Sequence, residues 1–206
     1  MLNLSRPSDI SSTEDQATAA ALRAMNAQRQ RQELDPAIDA RISSYELAYR
    51  MQTEAPDVMD LSKESKETLE MYGADPKVPS FARACLLARR MVERGVRFIN
   101  IYHEGWDAHS DVVGNITGNA RATDKASAAL VTDLKQRGLL DDTIVIWGGE
   151  FGRTSDSQGS KGRDHNPNAM TMWLAGGGCN AGHTIGATDE LGMTAVEDKA
   201  HVRDFH

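Results

Sequence analysis

Val96-Arg97-Phe98-Ile99-Asn100-Ile101-Tyr102-His103-Glu104-Gly105-Trp106-Asp107-Ala108-His109-Ser110-Asp111 passes from an apolar run into a loop crowded with ligand-type side chains. The run 96–102 reads as a buried strand, and nothing in the loop after it is needed to build a core. The same transition occurs once more. Thr143-Ile144-Val145-Ile146-Trp147 is nearly continuous in apolar residues, as expected of a strand buried on both faces of a parallel sheet, and it runs into Gly148-Gly149-Glu150-Phe151-Gly152-Arg153-Thr154. Between the two strands, residues 120–137 read as a helix with Ala126, Leu130 and Leu134 inward and Gly138 as terminator. Lys135 and Arg137 suit the negative end of its dipole. Strand, helix and strand predict a right-handed parallel βαβ unit, with Met170–Ala175 as a third strand. Upstream, Pro79-Ser80 opens a helix with Phe81, Ala84, Cys85, Ala88, Met91 and Val92 on one stripe, and Gly95 takes the position after its end. Cys85 on that stripe reads as a small core residue.

Residues 1–75 have a different texture, polar and poor in glycine, and read as a helical cap or side layer beside an α/β part spanning 76–206. Residues 9–33 fit one long helix. Asp35-Pro36 starts another, with aspartate as N-cap and proline in the first turn, and Ala55-Pro56 is expected to end it. Ile38, Ile42, Tyr45 and Tyr49 fall on one face of it. Arg29, Arg31, Arg41 and Arg50 read as a solvated surface.

Composition narrows the classes of function. A chain of 206 residues is long enough for one sizeable domain, and 40% hydrophobic with 26% charged residues is ordinary for a folded globular protein. The net charge of −7 argues against a broad nucleic-acid surface. Apolar runs are too short to span a bilayer, and no basic-then-apolar leader is present. Cys85 and Cys179 lack a CxxC partner and leave the redox compartment open. Gly176-Gly177-Gly178 has neither phosphate-loop nor dinucleotide spacing and reads as a turn.

Ligands of open parallel sheets bind beyond the carboxyl ends of the strands, so the loops 103–111 and 148–154 are expected to face one another. Asp107 and His109 offer oxygen and imidazole two positions apart, with His103 and Asp111 as further candidates. Asp111 fits a helix cap equally well. Glu150 is the first acidic residue after the second strand and fits either a ligand or an ion-pair partner of Arg153. Asp164-His165 lies beyond a Ser/Gly-rich stretch able to fold back over the site. Such Asp/Glu/His sets suit zinc, manganese, iron or calcium, and a pair of metals would clamp a tetrahedral anion. Arg153 and Arg163 suit bidentate contact with anionic oxygens. His183 reads as an exposed turn histidine, and His201 and His206 lie near the chain end.

The segments RMVERGVRFINIYHEGWDAHSD (90–111), DLKQRGLLDDTIVIWGGEFGRT (133–154), GRDHNP (162–167), MTMWLAGGG (170–178) and GATDELG (186–192) together closely resemble the bacterial family named domain of unknown function 1501. Its members are described as sulfatase-like proteins of the alkaline phosphatase superfamily. The resemblance spans about 35–206 and implies a three-layer α/β/α fold around a mostly parallel sheet. It also implies Asp/His metal ligands at strand ends around a Ser, Thr or modified Cys nucleophile. By position, Asp107 and His109 look like the first ligand pair and Glu150 stands where the superfamily has an aspartate. Phe151 replaces the histidine beside it, which leaves His165, with Asp164, to supply the imidazole. Arg153 is the anion holder. The implied cofactor is a divalent ion, zinc, calcium or manganese, and the implied partner is a small anionic ester. The segment that carries the first ligand and the nucleophile in relatives has no counterpart here, and Thr154 is the nearest hydroxyl. The chain therefore reads as an incomplete, C-terminal part of such a domain, expected to leave an apolar face uncovered and to have negligible esterase activity alone. Export to the periplasm is typical of relatives. A binding or structural protein that has lost catalysis is the alternative.

Overall fold

Ser11 and Glu14 cap the first helix reciprocally: the Ser11 N–H donates to Glu14 Oε2 (2.9 Å) and the Glu14 N–H donates to Ser11 Oγ (3.2 Å). Helix α1 (Ser12–Gln32) follows, then α2 (Pro36–Met59). The computed structural model describes residues 9–32, 36–156, 159 and 161–205. The expected N-cap Asp35 lies outside them. Helix α2 does not stop at Ala55-Pro56. It runs through Pro56 to Met59, and the carbonyl of Pro56 accepts from Asp60 N (3.1 Å). Within this first unit, Met1–Leu61, the Arg23 guanidinium lies 5.6 Å from the centre of the Tyr49 ring.

The second unit, Ser62–His206, is organised around three helices, α3 (Lys66–Tyr72), α4 (Phe81–Glu93) and α5 (Val112–Gln136). Ser80 caps α4 by accepting from Arg83 N (3.1 Å). Gly95, at φ 76°, closes it, with Gly95 N bonding Val92 O (2.8 Å) and Val96 N bonding Met91 O (3.1 Å). Those two bonds are the paired closure that a left-handed residue after a helix permits. Gly138 closes α5 in the same way. We expect Ser80→Ala to lower the stability of this unit by about 1 kcal/mol, read as a fall in the denaturant midpoint at unchanged slope. An unchanged midpoint would remove the cap from the account.

The core lies between these helices. Cys85, Leu86 and Ala88 of α4 meet Ala126, Ala129, Leu130 and Leu134 of α5 in the buried set, with Tyr72 of α3. The alanines on α5 keep that face narrow. Burial pushes the Cys85 thiol up to about 12, which agrees with its reading as an inert core residue. At one end of this core the sequence reading missed a balanced charge cluster. Arg89, 2% exposed, reaches Glu64 Oε2 (2.5 Å), Glu93 Oε2 (2.8 Å) and Asp133 Oδ2 (3.0 Å). Arg90 holds the other oxygen of Glu64, Arg137 Nε donates to Asp133 Oδ1 (2.7 Å), and the Tyr72 hydroxyl donates to Asp133 Oδ2 (3.1 Å). Burial opposes the charge on Arg89, but its hydrogen bond to Glu64 and the neighbouring carboxylates outweigh it and the pKa rises. Burial likewise opposes ionisation of Glu64, and the bonds from Arg90 and Arg89 override it downward.

The expected mostly parallel three-layer sheet does not form. About 48% of the chain is helical, and among the described residues the strands occur only in antiparallel pairs. β1 (Ile144–Trp147) pairs with β4 (Trp173–Gly176), so that Trp147 lies opposite Trp173. β2 (Gly152–Arg153) pairs with β3 (His165–Asn166), and β5 (Ala187–Thr188) with β6 (Ala195–Glu197). The run 96–102 joins no ladder, and Phe98 and Tyr102 are 89% and 86% exposed. A parallel βαβ unit needs both of its strands in one ladder. Here β1 takes β4 from the opposite direction, and its Ile144 and Ile146 remain exposed. The apolar run at 143–147 marked a strand without fixing its partner. No described helix is long and apolar enough to cross a membrane.

Candidate metal centre

Two loops meet because glycine lets their backbones touch. The N–H of Arg163 donates to Ala108 O (2.8 Å) and the N–H of Val112 to Lys161 O (3.0 Å). Gly162 lies between these bonds, buried, where a Cβ would overlap the carbonyl of His109 and come within 2.7 Å of Ser110 N. Residues 107–111 and 161–165 are therefore stitched side by side. Exposure alternates through Asp107, Ala108 and His109, with Ala108 buried, so that Asp107 and His109 leave the backbone on the open side.

The first loop is fixed from behind. Gly105 turns at φ 98°, and its carbonyl accepts from the side-chain amides of Asn119 (2.8 Å) and Asn115 on α5. His103 bonds Asn119 Oδ1 through Nε2 (3.0 Å) and stands edge-on between Phe81 and Trp106. Trp106 in turn meets Trp147 edge-on at 6.0 Å. His103 is thus a spacer in an aromatic row rather than a ligand. The second loop is fixed by the β2–β3 ladder, where Arg153 lies directly opposite His165. Gly152 is required there, since a Cβ would run into Ala169 O. Asn166, buried, donates to Met193 O (3.0 Å) and Gly192 O (3.3 Å) and accepts from Asn168 N (3.0 Å), which locks the strand that presents His165.

Three donor atoms converge as a result. Asp107 Oδ1 lies 2.9 Å from His109 Nε2 and 3.0 Å from His165 Nε2, and the two Nε2 atoms are 3.1 Å apart. As Nε2–H tautomers both imidazoles can donate to Asp107 Oδ1, but their two nitrogens then face each other as donors at 3.1 Å. The three atoms do fit a shared cation: adjacent donors with bonds of about 2.1 Å stand about 3.0 Å apart on an octahedron and about 3.4 Å apart on a tetrahedron. Among the described residues this is the one group of three or more such ligands within 4.8 Å of one another. Asp107 Oδ1 also accepts from Arg153 Nη1 (2.5 Å). The hydrogen bonds from Arg153, first, and His165 hold the Asp107 carboxyl down to about 2. Phe151 packs its ring on His165 at 4.3 Å between centres and carries the Arg153 guanidinium over its other neighbourhood at 5.4 Å.

The remaining candidates separate. Asp164 Oδ1 lies 4.0 Å from His109 Nδ1, behind the ring rather than at its ligating nitrogen. Glu150 is exposed and outside the triangle. Asp111 caps α5 by accepting from Gly114 N (3.1 Å). The Thr154 hydroxyl accepts from Asp164 N (3.0 Å) and donates to Asp156 O (2.8 Å), so it is spent on the loop. Arg163 donates to the carbonyl of Gly162 (2.7 Å). His183 is exposed, and His201 Nδ1 accepts from Arg203 N (3.2 Å) in the final turn. His206 lies outside the described residues. Sequence reading missed Gly162, Gly152, Asn119 and Asn166. The signal for three of them was at hand: each sits inside a motif, EFGRT or GRDHNP, beside a charged candidate.

The sequence model of the family described as Protein of unknown function (DUF1501) matches residues 1–206. No curated protein and no solved structure matches the chain.

Proposed function

The chain belongs to the DUF1501 family of proteins of unknown function, and from that premise we propose that it is a metal-dependent hydrolase of sulfate or phosphate esters. One observation carries this reading: the triangle of Asp107 Oδ1, His109 Nε2 and His165 Nε2, with a guanidinium on the same oxygen. Two imidazoles and one carboxylate favour zinc or manganese. They disfavour calcium, which takes oxygen ligands. Asp107, His109 and His165 would hold the ion. Arg153 would bind anionic ester oxygens beside it, a task its planar fork suits. When bound, a divalent ion supplies Lewis acidity and acidifies a water at neutral pH. The guanidinium of Arg153 beside the proposed cation is what supports an anionic ester as the substrate class. The expectation of negligible turnover rested on a missing side-chain nucleophile, and attack by water requires none.

The test begins with metal. Purified, metal-stripped protein should take up one equivalent of zinc or manganese, and His165→Ala should weaken that affinity by at least ~100-fold, the upper range for losing even a supporting group. Unchanged affinity would return His165 to a structural role, and no uptake by the wild type would end the reading. Reconstituted protein should then hydrolyse p-nitrophenyl sulfate or p-nitrophenyl phosphate, and a chelator should abolish it. A second reading, a metal- or anion-binding protein without turnover, is favoured by the openness of the centre. Asp107, His109 and His165 side chains are 60%, 46% and 45% exposed, where water screens the electrostatics that catalysis uses. Metal uptake without hydrolysis of either ester would decide for it.

A further inference from the structure

Arg153 occupies an unusual place in this centre. Its Nη1 donates to Asp107 Oδ1, the same oxygen that completes the triangle with the two imidazoles. A cation drawn into the triangle and the guanidinium therefore compete for one atom. They also repel each other at contact distance, since both are positive. Displaced from Oδ1, Arg153 cannot wander far. Its backbone is held in the β2–β3 ladder opposite His165, and its guanidinium rests over the Phe151 ring at 5.4 Å. It remains a tethered positive fork beside a divalent ion, with its donors released. A tetrahedral oxyanion placed between the two charges satisfies both at once and relieves their repulsion.

We propose that Arg153 couples metal binding to oxyanion binding, passing from Asp107 to a sulfate- or phosphate-like group as the metal takes Asp107. The proposal rests on the metal reading above and adds an order of dependence to it. Metal creates the anion site, and by linkage the anion tightens the metal by the same factor. It also assigns Arg153 two opposite effects. Alone with the metal it is a competitor, and with metal and anion together it is a partner. A residue that only supported the fold would weaken both states when removed.

Isothermal titration of metal-stripped protein with cobalt(II), alone and in saturating sulfate or inorganic phosphate, measures the coupling directly. In the wild type the cobalt affinity should rise between about 5- and 150-fold in the presence of the anion, the usual range for coupled sites. The anion affinity should rise by the same factor in the presence of cobalt. The two anions titrated separately distinguish a sulfate from a phosphate site. Arg153→Gln should bind cobalt alone more tightly than the wild type and show a coupling factor near one. Weaker cobalt binding by Arg153→Gln, or full coupling retained in it, overturns the inference and leaves the metal site standing. Wild-type cobalt binding indifferent to either anion also overturns it, without reliance on any variant. Failure of the wild type to bind cobalt overturns the metal reading and the inference together.

Discussion

Arg89→Ala is expected to cost about 3–5 kcal/mol of unfolding free energy, a large share of the roughly 5–15 kcal/mol that holds an ordinary domain folded. The reason is what the substitution leaves behind. Glu64 and Asp133 side chains, 8% and 4% exposed, would each lose a guanidinium partner while remaining out of water. Glu93 at the rim would keep only its bond from Arg137. Chemical denaturation followed by circular dichroism measures the loss. A change below about 1 kcal/mol would mean that water reaches the cluster and screens it as it does a surface pair. The same cluster sets a pH dependence. Glu64 ionises more readily in the folded chain than in the unfolded one. Its contribution is therefore complete above the ordinary carboxylate range and is lost as pH falls below it.

Gly162→Ala should damage the metal centre about as much as loss of a ligand, without removing one. One added carbon overlaps the carbonyl of His109, so the 161–163 backbone must retreat. Retreat breaks the bonds from Arg163 N to Ala108 O and from Val112 N to Lys161 O, and it separates His165 from Asp107 and His109. Metal affinity should fall on the order of 100-fold, with a stability loss of about 1–3 kcal/mol from overpacking. Cobalt titration and thermal melting of the same sample separate the two effects. Wild-type affinity in a folded Gly162→Ala protein would show that the loops are not held by this contact.

The helix ends that carry local signals were legible, whereas α3 was not read and α5 begins at Val112 rather than 120. Ser80, Gly95 and Gly138 mark ends that are fixed by bonds within five residues. Asp107, His109 and His165 were named from the sequence as candidate ligands, and the structure brings their donor atoms together. The sheet was not legible. An apolar run records burial or the demand for it, while strand direction depends on a partner elsewhere in the chain, and β1 and β4 meet antiparallel. Glu150 was chosen by position after β1 and stays outside the triangle, because backbone direction beyond a strand end is set by the contacts of the loop. The Arg89 cluster escaped for a related reason. Its carboxylates come from residues 64, 93 and 133, and no spacing in the sequence advertises their meeting.

Asp107 and His165 stand 58 positions apart, yet they contact one oxygen-nitrogen pair at 3.0 Å. An ion held by both is a reversible cross-link across a long loop. Closing such a loop is entropically expensive and is completed only once the helices have gathered the chain. The centre is thus assembled late in folding, and it opens whenever the loops part. An ion bound there would strengthen the closed form by mass action, by about 2.7 kcal/mol at a hundredfold excess over the dissociation constant. Scarcity of metal would then be felt first as protease sensitivity in the loops 103–111 and 161–165, before any helix melts.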